Sequence, residues 1–280
     1  RKKGLLSINQ KQYTKDILKR FDMMDCSTKA TPADPNVTLS KKMAPQTSRE
    51  KAEMENVPYM EALGSLVYLA TCTRPDIAFA VSELAKFSSN PGVEHWKGVK
   101  RVMRYLKGTL EYGLSYGDGS SRLYGFVDAS YGRCPDTRRS RYGGVMMLNN
   151  AAVDWRSKME SIVALSSMEA EYIGACEMAR LTMWLKRCLE ELGCSDGGPV
   201  EMGIDNQSAK MFAEEYMVQN RSKHIDTKYH YVRERIAEGM IKLFYQPTKE
   251  MPADILTKPL GPKQVAKFRR KMGVRRVAKE

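Results

Sequence analysis

The sequence has no apolar run that approaches the roughly 20 residues needed to cross a bilayer. Its mean hydropathy is −0.49, and 42% of its 280 residues are hydrophobic, which is typical of a soluble globular protein. None of its six cysteines forms a Cys-x-x-Cys pair, so the pattern predicts neither a zinc ribbon nor a disulfide framework. We therefore expect reduced thiols, no membrane association and an intracellular location.

Negative charge is also scarce relative to positive charge. The chain has 46 Lys and Arg against 33 Asp and Glu, a formal net charge of +13, which favours a polyanionic partner such as nucleic acid. Basic residues cluster in a predicted helix from 94 to 107 and again from Lys263 to Lys279. A solvated helix face and an unstructured tail are the alternative interpretations of these two clusters.

Apolar residues recur at helical spacing in four segments of the first hundred residues: 10–21, 59–71, 76–88 and 94–107. The stretch 25–58 is rich in Pro, Ser, Thr and Lys, so we expect a poorly ordered linker there.

After Gly108 the pattern changes to short β-rich runs at 123–127, 142–148 and 152–155. A long helix is then predicted from Ser167 to about Leu192, because Ser166 and Glu169 have the spacing of a capping box. The remaining elements are predicted as a strand at 200–204, a short helix after Asn206, a helix at 226–238, a strand at 240–245 and a final helix from Pro252. This order predicts a mixed α/β sheet covered by helices.

Four acidic residues stand where a predicted strand ends or a predicted helix begins: Asp128, Glu171, Asp205 and Asp254. A mixed α/β sheet usually has its functional site at such positions. Carboxylates that converge repel one another unless cations neutralise them, so the set indicates a divalent metal site. Taken singly, each residue is also typical of a turn or of the first turn of a helix.

Several long motifs carry a family resemblance. The segments GFVDASYGRCPDTRRSRYGGVMML, ALSSMEAEYIGACEMA, IDNQSAKMFA and MPADILTKPL closely resemble the ribonuclease H domain at the end of the polyprotein of copia-type long-terminal-repeat retrotransposons. Upstream, GSLVYLATCTRPDIAFAVSELAKFSSNPGVEHWKGVKRVMRYLKGT looks like the terminal part of that family's reverse transcriptase. The resemblance covers nearly the whole chain.

The resemblance implies a ribonuclease H-like five-stranded mixed sheet flanked by helices, preceded by a mainly helical region like the thumb or connection of a reverse transcriptase. The implied domains are a reverse-transcriptase remnant at 1–116, a ribonuclease H-like domain at 117–260 and a basic tail at 261–280. The sequence contains no Asp-Asp dipeptide, so the Y-x-D-D turn that holds the metal ions of a polymerase is absent.

The resemblance also implies the site. Asp128, Glu171, Asp205 and Asp254 match the catalytic, metal-binding carboxylates of the family, and Asp128 is the expected bridging ligand of two Mg²⁺ ions, for which Mn²⁺ is a substitute. Glu171 is preferred to Glu169 because a bulky, a variable and a small residue follow it, as in ribonuclease H helices. The nucleic-acid-binding candidates are Arg138, Arg139 and Arg141, in the turn after Asp128, together with Asn206 and Gln207 of the D-N-Q-S-A motif.

One departure from the family lies beside the first Asp. The family usually continues D-A-D-W, whereas Asp128-Ala129 is followed here by Ser130-Tyr131, so an acidic group near the site is missing. His224 and His230 are candidate acids or bases, but a packed or capping histidine is the commoner outcome at a helix entry.

The implied function is Mg²⁺-dependent endonucleolytic hydrolysis of the RNA strand of an RNA:DNA hybrid. The implied partners are that hybrid and the remainder of the reverse transcriptase in a parent polyprotein, and the expected location is the cytoplasm or virus-like particles, with the nucleus as an alternative. The competing hypothesis is a truncated or domesticated descendant that binds nucleic acid or a host partner without cleaving.

Overall fold

A computed structural model describes residues 4–117, 121–215 and 230–277. The chain divides into two compact units. The helical unit comprises Arg1–Ser115, Pro135–Thr137 and Lys258–Glu280, and the sheet unit comprises Tyr116–Cys134 and Arg138–Thr257. Within the described ranges, no helix is long and apolar enough to span a membrane.

The regular elements follow one another along the described parts of the chain as β1 Leu6–Ile8, α1 Lys11–Arg20, α2 Ser48–Glu55, α3 Tyr59–Cys72, α4 Ala78–Ala85, α5 Val93–Gly108, β2 Tyr112–Tyr116, β3 Tyr124–Ser130, β4 Arg141–Leu148, β5 Ala151–Met159, α6 Ser167–Glu191, β6 Val200–Ile204, α7 Gln207–Glu214, α8 Tyr231–Ala237, β7 Ile241–Tyr245, α9 Pro262–Lys271 and β8 Val274–Arg276. The predicted mainly helical N-terminal region is confirmed. The expected helix at 226–238 is described only as α8, because 216–229 lie outside the described residues.

The stretch 25–58 differs from the expected linker, because it contains the helix α2. Thr47 and Glu50 form a capping box that starts this helix, and a capping box satisfies two backbone N–H groups that a helix start otherwise leaves unpaired. Arg101 of α5 pairs with Asp34 at 2.6 Å, and Lys107 donates to the Cys26 carbonyl at 2.6 Å. Two cations of the basic helix α5 therefore hold this stretch in place.

The end of the chain also differs from the expectation of a single final helix from Pro252. Pro252–Leu256 form a 3-10 helix, and α9 is a separate helix that begins at Pro262 after Gly261. Val265 and Phe268 of α9 are buried at 2% and 0% exposure, and β8 pairs antiparallel with β2. The segment set apart as a basic tail thus contains a helix and a strand of the helical unit.

The sheet unit is built on a five-stranded sheet in the order β5-β4-β3-β6-β7. The β5-β4 and β4-β3 pairs are antiparallel, whereas the β3-β6 and β6-β7 pairs are parallel. A buried apolar cluster joins the strands to α6, α7 and α8, with members such as Val127, Ile173, Met202 and Phe212. The predicted five-stranded mixed α/β sheet flanked by helices is confirmed.

Two adjacent glycines in β4 let other elements approach the middle of the sheet closely. A Cβ on Gly143 would lie 2.7 Å from the Leu256 Cβ, and one on Gly144 would overlap the Met178 side chain of α6. Glycine inside a strand often marks such close approach. Because successive residues point to opposite faces of a strand, the 3-10 helix packs on one face beside Gly143 and α6 packs on the other.

Candidate functional site

Parallel pairing of β3 with β6 brings two aspartates together. Val127 lies opposite Ile204. The residues that follow them, Asp128 and Asp205, are therefore neighbours at the end of the sheet where the parallel pairing stops. Oxygen atoms of Asp128, Asp205 and Asp254 lie within 4.8 Å of one another. Asp128 and Asp254 are each 2% exposed, and Asp205 is half-buried.

Asp254 reaches this edge from the 3-10 helix that packs beside Gly143. The neighbouring Leu256 is tied to the sheet, because Ser157 of β5 donates to the Leu256 carbonyl at 2.6 Å. Arg141 in turn donates to the Ser157 hydroxyl at 3.0 Å. The aspartate triad therefore combines a central strand, its parallel neighbour and a short helix fixed against the sheet.

Glu171 and Glu169, the two acids at the start of α6, have different contacts. The Ala129 N–H donates to Glu171 Oε1 at 3.0 Å, so the Glu171 carboxylate lies against β3 one residue beyond Asp128. Glu169 Oε2 instead accepts the Leu165 N–H at 2.7 Å, and the Glu169 N–H donates to Ser166. Glu169 thus caps its own helix, whereas Glu171 lies next to the triad without belonging to the group within 4.8 Å.

Two threonine hydroxyls donate to carboxylates of the triad. The Thr257 Oγ1 donates to Asp128 Oδ2, and the Thr248 Oγ1 donates to Asp205 Oδ2 at 2.8 Å. Thr257 is 2% exposed, whereas Thr248 is exposed. Sequence reasoning missed both residues; the available signal was a hydroxyl three residues after Asp254 in the ADILTK motif.

A further buried acid, Glu160, was also missed from the sequence. Glu160 is 2% exposed at the end of β5, and its backbone N–H donates to the Ser140 carbonyl at 2.9 Å. Burial, reinforced by the charge of Glu169, raises the pKa of Glu160 to about 8. Glu160 therefore carries a proton at neutral pH.

The three arginines proposed to bind nucleic acid occupy different environments. Arg138 and Arg139 are exposed in the turn before β4, which is accessible to a phosphate, and their nucleic-acid-binding role stays a prediction. Arg141 is 3% exposed and its guanidinium contacts Ser157. Because a buried guanidinium does not present its donors to a phosphate, we assign Arg141 to holding the Leu256 segment in place.

Asn206 and Gln207 lie where α7 begins, immediately after Asp205. The Asn206 Oδ1 accepts the Ala209 N–H at 2.9 Å, which makes Asn206 the N-cap of α7. Gln207 is exposed on the first turn. Binding of nucleic acid by these two side chains remains a prediction.

Of the two candidate histidines, His230 is described and His224 lies outside the described residues. The Nδ1 of His230 lies 3.1 Å from the Tyr172 hydroxyl oxygen, and Tyr172 is fully buried in the sheet-unit core. Burial and the nearby Arg233 lower the pKa of His230. These contacts give His230 a packing role at the start of α8.

The triad offers only oxygen atoms, and like charges on carboxylates at these distances repel one another. Mg²⁺ prefers oxygen ligands and is usually held by one or two carboxylates together with water and substrate phosphates. The donor set therefore fits a divalent, oxygen-preferring cation. The structure supports a possible acidic metal site formed by Asp128, Asp205 and Asp254.

The mixed sheet and its aspartate triad define an α/β unit with a possible acidic metal site. No family model matches the chain. Over 253 residues, or 90% of this chain, it is 42% identical to the retrovirus-related Pol polyprotein from transposon TNT 1-94 of Nicotiana tabacum. Over 275 residues, or 97% of this chain, it is 33% identical to the corresponding polyprotein from transposon RE2 of Arabidopsis thaliana.

The chain is homologous over most of its length to the Pol polyproteins of copia-type retrotransposons. It spans about a fifth of the length of these relatives, 19% and 18% respectively. A shorter relative, the secreted RxLR effector protein 161 of Plasmopara viticola, is 44% identical over 133 residues, which are 47% of this chain and 94% of that protein.

Among solved structures, the chain is similar to LC11-RNase H1 in complex with an RNA/DNA hybrid, with 14% identity and a TM-score of 0.35. That match covers 49% of this chain and 94% of the other. RNase H1 from the archaeon Halobacterium salinarum matches with 14% identity and a TM-score of 0.30, covering 45% of this chain and 86% of the other.

Proposed function

We propose that the sheet unit hydrolyses the RNA strand of RNA:DNA hybrids and that Asp128, Asp205, Asp254 and Glu171 hold two Mg²⁺ ions for this reaction. The observation that carries the proposal is the approach of three aspartates to within 4.8 Å of one another, in a chain homologous to retrotransposon Pol polyproteins. In the overall reaction, water adds to a phosphorus atom, the bond from phosphorus to the 3′ oxygen breaks, and a 5′ phosphate and a 3′ hydroxyl result.

When bound, paired divalent ions supply an activated water and stabilise the leaving oxygen. The residues of the chain hold the ligands in place: the Thr257 hydroxyl orients the Asp128 carboxylate, and the Ala129 N–H fixes Glu171 beside it. Burial of Asp128 and Asp254 limits the water that competes for these oxygens. Arg138 and Arg139 are the proposed contacts to the phosphate backbone.

Substitution Asp128→Asn tests the proposal, because it keeps the side-chain size and removes the charge of the expected bridging ligand. We expect Mg²⁺-dependent cleavage of a labelled hybrid to fall by at least about 1,000-fold, since replacing this ligand removes several kcal/mol of charge stabilisation. Binding of the hybrid should persist, because the basic surface is unchanged. The matched control is Glu169→Gln, a change two residues before Glu171. This variant should retain cleavage.

Binding without cleavage is the second candidate function. The observation in its favour is that the match with the secreted RxLR effector protein 161 covers 94% of that short protein, so related sequence also occurs outside a full-length polyprotein. Wild-type protein that binds the hybrid but cleaves it with neither Mg²⁺ nor Mn²⁺ would replace the nuclease proposal with this one.

A further inference from the structure

The solvent face of α9 carries a row of cations. Lys263, Lys267, Arg270 and Lys271 are all exposed, and their spacing of i, i+4, i+7 and i+8 places them within about 100° of one another around a helix of 3.6 residues per turn. The α9 sequence PKQVAKFRRK contains no acidic residue. We call these four side chains the α9 basic row.

The opposite face of α9 fixes the row in the helical unit. Val265 and Phe268 are 2% and 0% exposed, and Met272 directly after the helix is fully buried. Arg269 points inward rather than outward: it donates to the Tyr105 hydroxyl at 3.0 Å, and its guanidinium lies 4.4 Å from the centre of the Tyr112 ring. The helix is therefore a fixed support for the four outward cations.

We propose that the α9 basic row is a binding surface for the phosphate backbone of nucleic acid, formed by residues of the helical unit and not by those of the candidate catalytic site. The choice of nucleic acid as partner rests on the proposed function, whereas the surface itself rests on the charge and geometry of α9.

The dimensions of the row suit a nucleic-acid duplex. A rise of about 1.5 Å per residue gives a row of about 12 Å from Lys263 to Lys271. A duplex carries one phosphate charge about every 3.4 Å of its axis on each strand, so a row of this length that follows one strand faces several phosphates. Flexible lysines adapt to that spacing and release condensed counterions when they bind.

A membrane surface fits this helix less well. Amphipathic helices that bind membranes insert an apolar face into the lipid, but the apolar face of α9 is buried in the helical unit through Val265 and Phe268. Only the charged face remains available, which leaves electrostatic attraction without insertion. Nucleic acid is therefore the favoured partner.

The test measures how hybrid affinity depends on salt in the complete chain, with EDTA present so that no cleavage occurs. The variant Lys263→Gln/Lys267→Gln/Arg270→Gln/Lys271→Gln removes the row while glutamine keeps helix propensity. Each lost phosphate contact should flatten the log-log salt slope by about 0.9, so we expect a change of about 2 to 4 and at least tenfold weaker binding at low salt.

The matched control is Lys41→Gln/Lys42→Gln/Arg49→Gln/Lys51→Gln, which removes the same charge from four exposed positions of the helical unit. It should change the slope by less than about 1. The double variant Lys263→Gln/Lys267→Gln, expected to give half the effect, keeps the test valid if the quadruple variant unfolds. Circular dichroism checks the fold of each protein.

Equal salt slopes for wild-type protein and the α9 variants would overturn the proposal, and so would an equal loss of hybrid affinity in the control variant. Binding to anionic phosphatidylserine vesicles is measured in parallel. If the α9 variants lose only vesicle binding and keep hybrid affinity, the proposal is also overturned. Failure of the nuclease proposal is distinguishable, because it concerns cleavage with Mg²⁺ restored. Wild-type protein that binds hybrid through the α9 basic row but never cleaves it would support this surface and reject the nuclease.

Discussion

The two compact units differ in whether their buried charged residues are paired with residues of opposite charge. In the helical unit, Arg74 and Asp76 are 2% and 1% exposed and pair through two hydrogen bonds of 2.9 and 2.8 Å. Tyr105 donates to Asp76 at 2.7 Å. The Arg74 charge lowers the pKa of Asp76 against the opposing effect of burial, so the pair is ionised and balanced.

In the sheet unit, the carboxylates gathered at the triad have one sign. Asp128 and Asp254 are as buried as Asp76, yet their close neighbours include Asp205 and one another. A balanced buried pair supports a fold when its geometry is good, whereas like charges held together cost stability until a cation arrives. The comparison distinguishes a structural charge pair from a candidate binding site.

The largest expected effect compares one buried carboxylate from each unit. Asp76→Asn leaves Arg74 buried without its counter-charge and should lower the free energy of unfolding of the helical unit by about 3–5 kcal/mol. Asp254→Asn removes one of three like charges and should leave the sheet unit as stable or more stable in metal-free buffer. Denaturant-dependent amide hydrogen exchange measures the unfolding free energy of each unit separately. Equal decreases in unfolding free energy from both substitutions would contradict the distinction between a structural charge pair and a candidate binding site.

A second prediction concerns Glu160, the buried acid that the triad does not include. Since its pKa is about 8 when folded and about 4.3 in an unfolded chain, the folded protein retains a proton that the unfolded chain releases. The retained proton avoids a buried charge on Glu160. The stability that this provides is fully present below the pKa of Glu160 in the unfolded chain and is lost as the pH rises through its pKa in the folded protein. Between pH 6 and pH 8 the wild-type sheet unit should therefore lose about 2 kcal/mol of unfolding free energy from this group.

Glu160→Gln is neutral at every pH, so its unfolding free energy should not show this loss. The matched control Glu191→Gln alters an exposed acid at the end of α6 and should keep the wild-type pH dependence. Chemical denaturation at the two pH values provides the measurement, and parallel pH profiles for wild-type protein and Glu160→Gln would contradict the prediction.

The third prediction concerns the hydroxyls that orient the triad. Partners of metal ligands typically contribute 10- to 100-fold in metal affinity, so Thr257→Val should weaken Mn²⁺ binding about tenfold. Thr257→Ser retains the hydroxyl and should restore affinity. Thr248→Val should cost only a few-fold, because water can replace an exposed donor.

Mn²⁺ titration without nucleic acid measures these affinities independently of cleavage. The control Thr182→Val removes another buried hydroxyl of the sheet unit, one that donates to the Met178 carbonyl at 2.8 Å away from the triad. A Thr257→Val protein with wild-type Mn²⁺ affinity would show that this hydroxyl serves only the packing of the 3-10 helix.

Local patterns predicted most of the sheet unit. The periodicity of β6 and the spacing of Ser166 and Glu169 gave β6 and α6 within a residue of their observed bounds, because each pattern arises from neighbours along the chain. The same patterns placed Asp205 correctly at a strand end. Asp128 was also expected at a strand end, but it lies within β3, which continues to Ser130; parallel pairing of β3 with β6 brings the two aspartates together.

The features that the sequence did not predict depend on contacts between distant residues. Thr257 donates to a residue 129 positions away, and Arg141 differs from Arg139 only through its burial in β4. Likewise, the segment before α2 is ordered although it is Pro-rich, because Arg101 and Lys107 of α5 contact Asp34 and the Cys26 carbonyl. Propensity along the chain contains no information about such partners.

The smallest expected effect separates helix capping from nucleic-acid binding at Asn206. If the side chain serves only as the N-cap of α7, Asn206→Ala should cost about 1 kcal/mol of unfolding free energy, while Asn206→Gly should cost only a few tenths, since glycine is a tolerated N-cap. If the amide also contacts the hybrid, both substitutions should weaken hybrid binding equally, because both remove it. Denaturant unfolding and hybrid affinity in EDTA are therefore measured on both variants. A capping role makes Asn206→Ala less stable than Asn206→Gly, whereas a binding role gives both variants the same loss of affinity. Equal affinity in wild-type protein and Asn206→Gly would restrict Asn206 to capping, whereas a shared loss would add it to the proposed nucleic-acid contacts Arg138 and Arg139.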